Sequence, residues 1–302
     1  MPVQYSKIAR AICKIIVSRM APTLTTLRAT VARWRLQRAG VRTVPFLESL
    51  MTVQRRDLEQ RDRGPLLDGA HLPATLRFWR TLTQHTPQVV IDVGANVGAF
   101  TLAGRYAEGT VCHAFEPNPD LVRWLARSIE THPDHARITL HPVAVSDRPG
   151  AVTLGIDTRK SGCSSLHQSP RFRGAVQHVT VDAVRLDDVC TVPAGARLLL
   201  KTDTEGHELQ VLSGAPRLLD TPDLIGITEY APDLLAAAGT HGPDVLAILS
   251  RFHLFWLRDK PTAGLEPIAD RSAAASRTGN LVYATDPAAV LAAADVAQVP
   301  IR

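Results

Sequence analysis

Asparagine is scarce in this 302-residue chain, which has three: Asn96, Asn118 and Asn280. Lysine is also thin, at 5 against 29 arginines, a bias of the kind GC-rich coding produces. The four cysteines, Cys13, Cys112, Cys163 and Cys190, form no CxxC pair. That argues against a disulfide scaffold and for a reducing, cytoplasmic setting. No run approaches the roughly 18 uninterrupted apolar residues of a membrane-spanning helix. Repeats and low-complexity tracts are absent too. What is present is 45% apolar composition with mean hydropathy near zero, enough for a large α/β domain with an appendage. The net charge of +5 divides unevenly. Residues 1–88 hold 15 Lys and Arg against 5 Asp and Glu, so they carry +10 and the remainder −5. A domain with that negative balance gives no reason to expect a nucleic-acid substrate.

Residues 90–98 read Val-Ile-Asp-Val-Gly-Ala-Asn-Val-Gly, and residues 114–119 read Ala-Phe-Glu-Pro-Asn-Pro. Each is a buried-strand run that ends in a turn. Gly94 and Gly98 let the backbone turn sharply and admit a ligand without Cβ interference. Glu116 ends its strand where an acid accepts both hydroxyls of a ribose. A dinucleotide fold also has a Gly-rich turn and a following acid. Here, however, three residues separate the glycines, so the Gly-x-Gly pair that admits a pyrophosphate is missing, and Asp92 is a poor neighbour for a diphosphate. The ligand expected is a phosphate-free nucleoside bearing a positive group, which points to S-adenosylmethionine. Asn96 and Asn118 fall in these two loops, either shaping left-handed turns or hydrogen-bonding the ligand.

Further segments extend the pattern: Val145-Ser146-Asp147 and Gly150, Ser161 to Leu166, Val184 to Val189, Lys201-Thr202-Asp203-Thr204-Glu205-Gly206-His207-Glu208, and Gly279-Asn280-Leu281. In that order they resemble the FkbM-type S-adenosylmethionine-dependent methyltransferases over roughly residues 88–286. The resemblance implies a class I, Rossmann-like α/β fold, with a seven-stranded, mostly parallel sheet and helices on both faces. It also implies methyl transfer to a hydroxyl of a sugar, glycolipid or polyketide-like metabolite, so the partner is a small-molecule or glycan acceptor. Cofactor contacts are expected from Asp92, Gly94, Asn96, Gly98, Glu116 and Asn118, with Asp147 on the adenine side. The rival readings are a non-catalytic nucleoside-binding or interaction protein and, less favoured, an NAD-dependent oxidoreductase.

Two domains are expected: a basic helical extension and connector over residues 1–87, and the methyltransferase domain over 88–302. Helical patterns run from Tyr5 to about Gln37, interrupted at Pro22, and carry basic residues beside an apolar stripe. Such helices either lie on an anionic membrane surface or pack on the domain or a second subunit. Residues 52–70 read as a charged connector, and a helix over 73–84 is expected to cover the site. Strands are predicted near 89–93, 110–116, 137–144, 196–203, 224–230, 252–258 and 280–285. Helices are predicted near 97–107, 119–131, 205–219, 231–237 and 242–250. A β-ribbon is inserted at about 150–190, and its loop, Thr158 to Gly174, is the main candidate for contacting acceptor.

A hydroxyl is a weak nucleophile near neutral pH, so a base or a metal must help remove its proton. Acids at the carboxyl ends of the middle strands are where that help belongs. Asp203 follows the apolar Leu198-Leu199-Leu200 run, and Glu229 ends the next strand. Together they would hold Mg²⁺, or one would act alone as base, and the sequence leaves both open. Glu205 and His207 are further catalytic candidates, while Glu208 suits a helix dipole. Ser164, Ser165 and His167 offer acceptor contacts, and Lys201 is expected to pair with a neighbouring acid.

Overall fold

The computed structural model describes residues 40–54, 72–84, 89–259 and 263–302. Residues 43–302 form one compact unit, and of residues 1–42 only 40–42 are described. The expected N-terminal helices, with their membrane or dimer roles, lie outside the described residues. At the start of the expected connector, residues 52–54, the outcome differs, because they belong to a strand. Strands β1 (Val41–Phe46) and β2 (Ser49–Gln54) make a two-stranded sheet. Met51 and Val53 are buried, and the backbone amides of Leu50 and Thr52 donate to the hydroxyls of Thr131 and Ser128. Buried apolar side chains and satisfied edge amides make a strand where the charged sequence just beyond it suggests a solvated link.

Helix α1 (Ala74–Gln84) leads to β3 (Val89–Val93), α2 (Ala99–Ala103), β4 (Val111–Phe115), α3 (Pro119–Ile129) and β5 (Ile138–His141). The strand expected to run through residue 144 stops at β5 because Pro142 has no amide to continue the ladder. A three-stranded ribbon follows, built from β6 (Ala144–Val145), β7 (Gly150–Asp157) and β8 (Val176–Val184) in the order β6-β8-β7. After α4 (Leu186–Val189) come β9 (Arg197–Thr202), α5 (Glu208–Ser213), α6 (Pro216–Leu219) and β10 (Asp223–Tyr230). The chain ends through α7 (Pro232–Ala237), α8 (Gly242–Ile248), β11 (His253–Arg258), β12 (Gly264–Pro267), α9 (Arg271–Ala274), β13 (Gly279–Ala284) and α10 (Pro287–Val296).

The main sheet has eight strands in the order β12-β11-β13-β10-β9-β3-β4-β5, one more than expected; the addition is β12 at the edge. Strands β10, β9, β3, β4 and β5 run parallel, while β13, β11 and β12 pair antiparallel. Alternation along each strand feeds two cores. Val89, Ile91, Val93, Leu198 and Leu200 pack on one face, and Val90, Leu199, Ile225 and Ile227 on the other. Burying each of the larger side chains stabilises the fold by roughly 1.5–3 kcal/mol. Phe78, Trp79 and Leu82 place α1 in the second core, so this helix covers the sheet and not the site. From β3 the chain steps outward through β4 to β5, then returns to β9 on the other side of β3. That reversal opens a crevice beyond the carboxyl ends of β3 and β9, where open α/β sheets take ligands.

Candidate active site

The turn after β3 is built from left-handed residues: Gly94 at φ 74°, Asn96 at 53° and Gly98 at 91°. A Cβ on Gly94 would overlap the carbonyl oxygen of Asp203, so the two strand ends meet backbone to backbone. Asn96 tolerates its conformation because its own Oδ1 accepts from the amide of Val97 at 2.8 Å. Gly98 opens α2 against Leu125 and Leu102, where a side chain would collide. Asn118 caps α3, its Oδ1 accepting from the amide of Asp120 at 3.0 Å. Turn shaping thus accounts for both asparagine oxygens.

The Glu116 carboxylate is buried and ties the two loops together. It accepts from the amide of Asn96 at 2.7 Å on one oxygen and from that of Asn118 at 2.8 Å on the other. Burial pushes its pKa up to about 7, despite those amides and Lys201, which act the other way. Glu116 lines a cleft enclosing about 800 Å³ of atom-free space, open solvent included. Gly94, Asn96, Asp203, Glu205 and His207 share its wall, facing apolar groups from Phe115, Leu121, Val145 and Leu154. An acid for ribose, apolar walls for a base and a tight left-handed turn at the cleft edge fit S-adenosylmethionine.

Four expected cofactor contacts, Gly98, Asn118, Asp92 and Asp147, are not among the residues lining the cleft. Gly98 and Asn118 serve the turn and the helix cap behind the cleft. Asp92 is fully buried beneath the turn, pairing with Lys201 Nζ at 3.1 Å and accepting from Thr101 Oγ1 at 2.6 Å. Strand register explains this, because Asp92 and Lys201 are cross-strand neighbours on β3 and β9. Lys201 Nζ also donates to the carbonyls of Val93 and Gly94 at 3.1 and 2.9 Å. Burial alone would pull the lysine pKa down, but Asp92, Asp203 and Glu116 carry it upward. Asp147 stands off the cleft wall and accepts from Ser146 Oγ at 3.1 Å.

At the other end of the cleft, parallel pairing of Thr202 with Thr228 brings Asp203 and Glu229 alongside each other, as expected. Glu205 joins them, and one carboxylate oxygen from each of the three lies within 4.8 Å of the others. Burial, then Asp203, pushes Glu205 up to about 7; burial, then Asp203 and Glu205, holds Glu229 well above the usual carboxylate range. Arg171, from the inserted loop, donates through Nη1 to Glu205 at 3.2 Å and Glu229 at 2.9 Å. Nothing in the loop sequence singles this arginine out, because its partners lie 34 and 58 residues away. It occupies one oxygen of Glu229 and one of Glu205 and sets a positive charge beside the cluster, so the arrangement does not fit a Mg²⁺ ion at Asp203 and Glu229.

His207 is not placed as a base. Its Nδ1 shares a hydrogen bond with His167 Nε2 at 2.8 Å, and its Nε2 shares one with Ser146 Oγ at 2.9 Å. Burial, then His167, pushes it down to about 4, too weak to take a proton at neutral pH. The helix expected from residue 205 begins at Glu208, because Glu205 at φ 54° and Gly206 at φ 105° hold left-handed geometry. The Glu208 carboxylate folds back to accept from the amides of Thr204 and Gly206. Gly206 allows close approach to the Leu234 carbonyl, not to a ligand. In the inserted loop, Ser164 and Ser165 line the cleft, and Ser165 Oγ donates to the Glu205 carbonyl at 2.9 Å.

The methyltransferase FkbM domain model matches residues 92–253, just over half of the chain and all of the cleft. The chain belongs to the FkbM methyltransferase family. No curated protein matches it significantly. Among solved structures, this FkbM domain is similar to an FkbM methyltransferase from Methylobacillus flagellatus KT, at 18% identity over 66% of this chain and 43% of that one, with a TM-score of 0.37. The present chain therefore spans less than half of that protein. It is also similar to an O-methyltransferase from Bacillus cereus solved in complex with SAH, at 9% identity over 76% of this chain and 88% of that one, TM-score 0.42. A precorrin-6y C5,15-methyltransferase from Geobacter metallireducens GS-15 gives 13% identity over 69% and 86%, TM-score 0.35. Among the described residues of this FkbM protein no helix is long and apolar enough to cross a membrane.

Proposed function

We propose that this methyltransferase uses S-adenosylmethionine to methylate a hydroxyl oxygen of a sugar, glycolipid or polyketide-like acceptor. The observation that carries this reading is the shared cleft: Glu116, suited to ribose, lines it together with Asp203 and Glu205, two members of the acid cluster. S-adenosylmethionine supplies an electrophilic methyl on a positively charged sulfur. Glu116, held by two turn amides, offers its remaining lone pairs to the ribose hydroxyls, and the apolar residues take the base. Asp203 and Glu205 face the acceptor side. One of them receives the hydroxyl proton as the oxygen forms its bond to the methyl carbon. The carbon–sulfur bond breaks in the same step, its electron pair remaining on sulfur. A carboxyl pushed up to about 7, as Glu205 is, matches a base working at neutral pH.

Incubation with methyl-labelled S-adenosylmethionine and a panel of hydroxylated acceptors tests this, because an O-methyl ether survives alkali whereas a methyl ester does not. Asp203→Asn is expected to keep cofactor affinity and to lower kcat by about 10²–10⁴-fold. Label recovered in an alkali-labile or nitrogen-bound product would overturn the proposal. Cofactor binding with no product from any acceptor would favour a non-catalytic nucleoside-binding protein.

A further inference from the structure

The three carboxylates of Asp203, Glu205 and Glu229 are spaced as a divalent-cation site is. Their cation is already in place. A single guanidinium nitrogen of Arg171 lies within hydrogen-bond distance of both Glu205 and Glu229. A Mg²⁺ ion needs carboxylate oxygens at about 2.0–2.1 Å with near-octahedral freedom around it. A fixed positive group about 3 Å from two of them opposes that by bulk and by charge.

Arg171 is held there by its loop. Its own amide donates to Ser169 Oγ at 3.2 Å, and the loop is pinned to the segment after β9 by Ser165 on the Glu205 carbonyl and His167 on His207. At the loop's base the buried Asp157 carboxylate gathers the amides of Arg159, Arg173 and Gly174. The second Glu229 oxygen is buried without a donor, so Arg171 leaves one acceptor of the cluster open. That vacancy suits a neutral donor from an acceptor molecule better than an ion that would have to sit beside the Arg171 guanidinium.

We infer that Arg171 is the resident cation of this acid cluster, a positioning residue that fixes Glu205 and Glu229 and keeps divalent metal out. The corollary that methyl transfer needs no metal rests on the proposed function; the exclusion of metal does not. Mn²⁺ titration of the full chain, followed by electron paramagnetic resonance, separates the two. The wild-type protein should hold no stoichiometric Mn²⁺ at 1 mM, an order-of-magnitude ceiling (about 10⁻³ M) for a site already filled by a cation. Arg171→Met should gain one site at least about tenfold tighter, and a further Asp203→Asn change should abolish the gain. Arg171→Lys, which keeps the charge, should remain free of metal. A wild-type site that Glu229→Gln removes would overturn the inference, and that measurement stands whatever Arg171→Met does to folding. So would a folded Arg171→Met protein with unchanged Mn²⁺ affinity, or an Arg171→Lys protein that binds as tightly as the methionine variant.

Discussion

Replacing Lys201 by Met should destabilise the fold severely, and the structure fixes both the size and the pH dependence of the loss. Lys201 and Asp92 are both buried, and the ammonium also serves the carbonyls of Val93 and Gly94. Methionine fills similar space but leaves Asp92 with the Thr101 hydroxyl as its remaining donor. Breaking a buried pair by removing one partner costs about 3–5 kcal/mol. An upper bound comes from neutralisation. Placing a proton at pH 7 on a carboxylate of ordinary pKa 3.9 costs about 4 kcal/mol, at 1.36 kcal/mol per unit. Asp92 takes up a proton once that is cheaper than staying charged. The folded variant then binds one proton more than the unfolded chain, so its stability falls as pH rises and recovers as pH falls. Between pH 7 and pH 5 it should regain about 2.7 kcal/mol relative to wild type. Urea unfolding at the two pH values, followed by tryptophan fluorescence, measures both quantities. Asp92→Asn combined with Lys201→Met should recover much of the loss and abolish its pH dependence. A single-variant cost below about 1 kcal/mol at pH 7, or a cost equal at both pH values, would refute the account of a buried charge left unpaired.

Gly94→Ala should cost about 2–4 kcal/mol, combining left-handed strain with overlap on the Asp203 carbonyl, and weaken S-adenosylhomocysteine binding in calorimetry; a stable variant of normal affinity would contradict the close packing. With Glu116 pushed up to about 7, its carboxyl is neutral below that pH and loses acceptor capacity for ribose. Affinity for S-adenosylhomocysteine should therefore fall by up to roughly tenfold from pH 8 to pH 6, and Glu116→Gln should flatten the profile; a slope that survives the substitution would assign the titration to another group.

Much of this arrangement is legible in the amino-acid sequence because it depends on local chemistry. The apolar runs of β3, β9 and β10 announce central parallel strands, and the Gly-rich turn and Glu116 announce the nucleoside end of the cleft. Asp203 and Glu229 come together as strand order predicts. What escapes the sequence depends on register and on distant chain. Asp92 reads as a ligand contact because nothing local shows that β9 will set Lys201 directly opposite. Arg171 reads as one arginine among 29, since its partners arrive from two other strand ends. The start of α5 is displaced by the left-handed Glu205, a conformation that an L-residue adopts only when its surroundings impose it.

The Asp157 clamp makes the inserted loop a cassette. Because one buried carboxylate collects amides from both ends of the loop, the exit and return of the chain are set at a single point, and Gly174 leaves no Cβ to crowd it. The residues between can then be exchanged without rethreading the sheet. Its first half is tied to the cofactor side of the cleft through Ser164, whose Oγ accepts from Asn118 Nδ2 at 3.1 Å, so the freedom to diversify is concentrated in the second half, at the positions flanking the fixed Arg171. A lineage altering its choice of acceptor has a place to do so that leaves the nucleoside end of the cleft untouched.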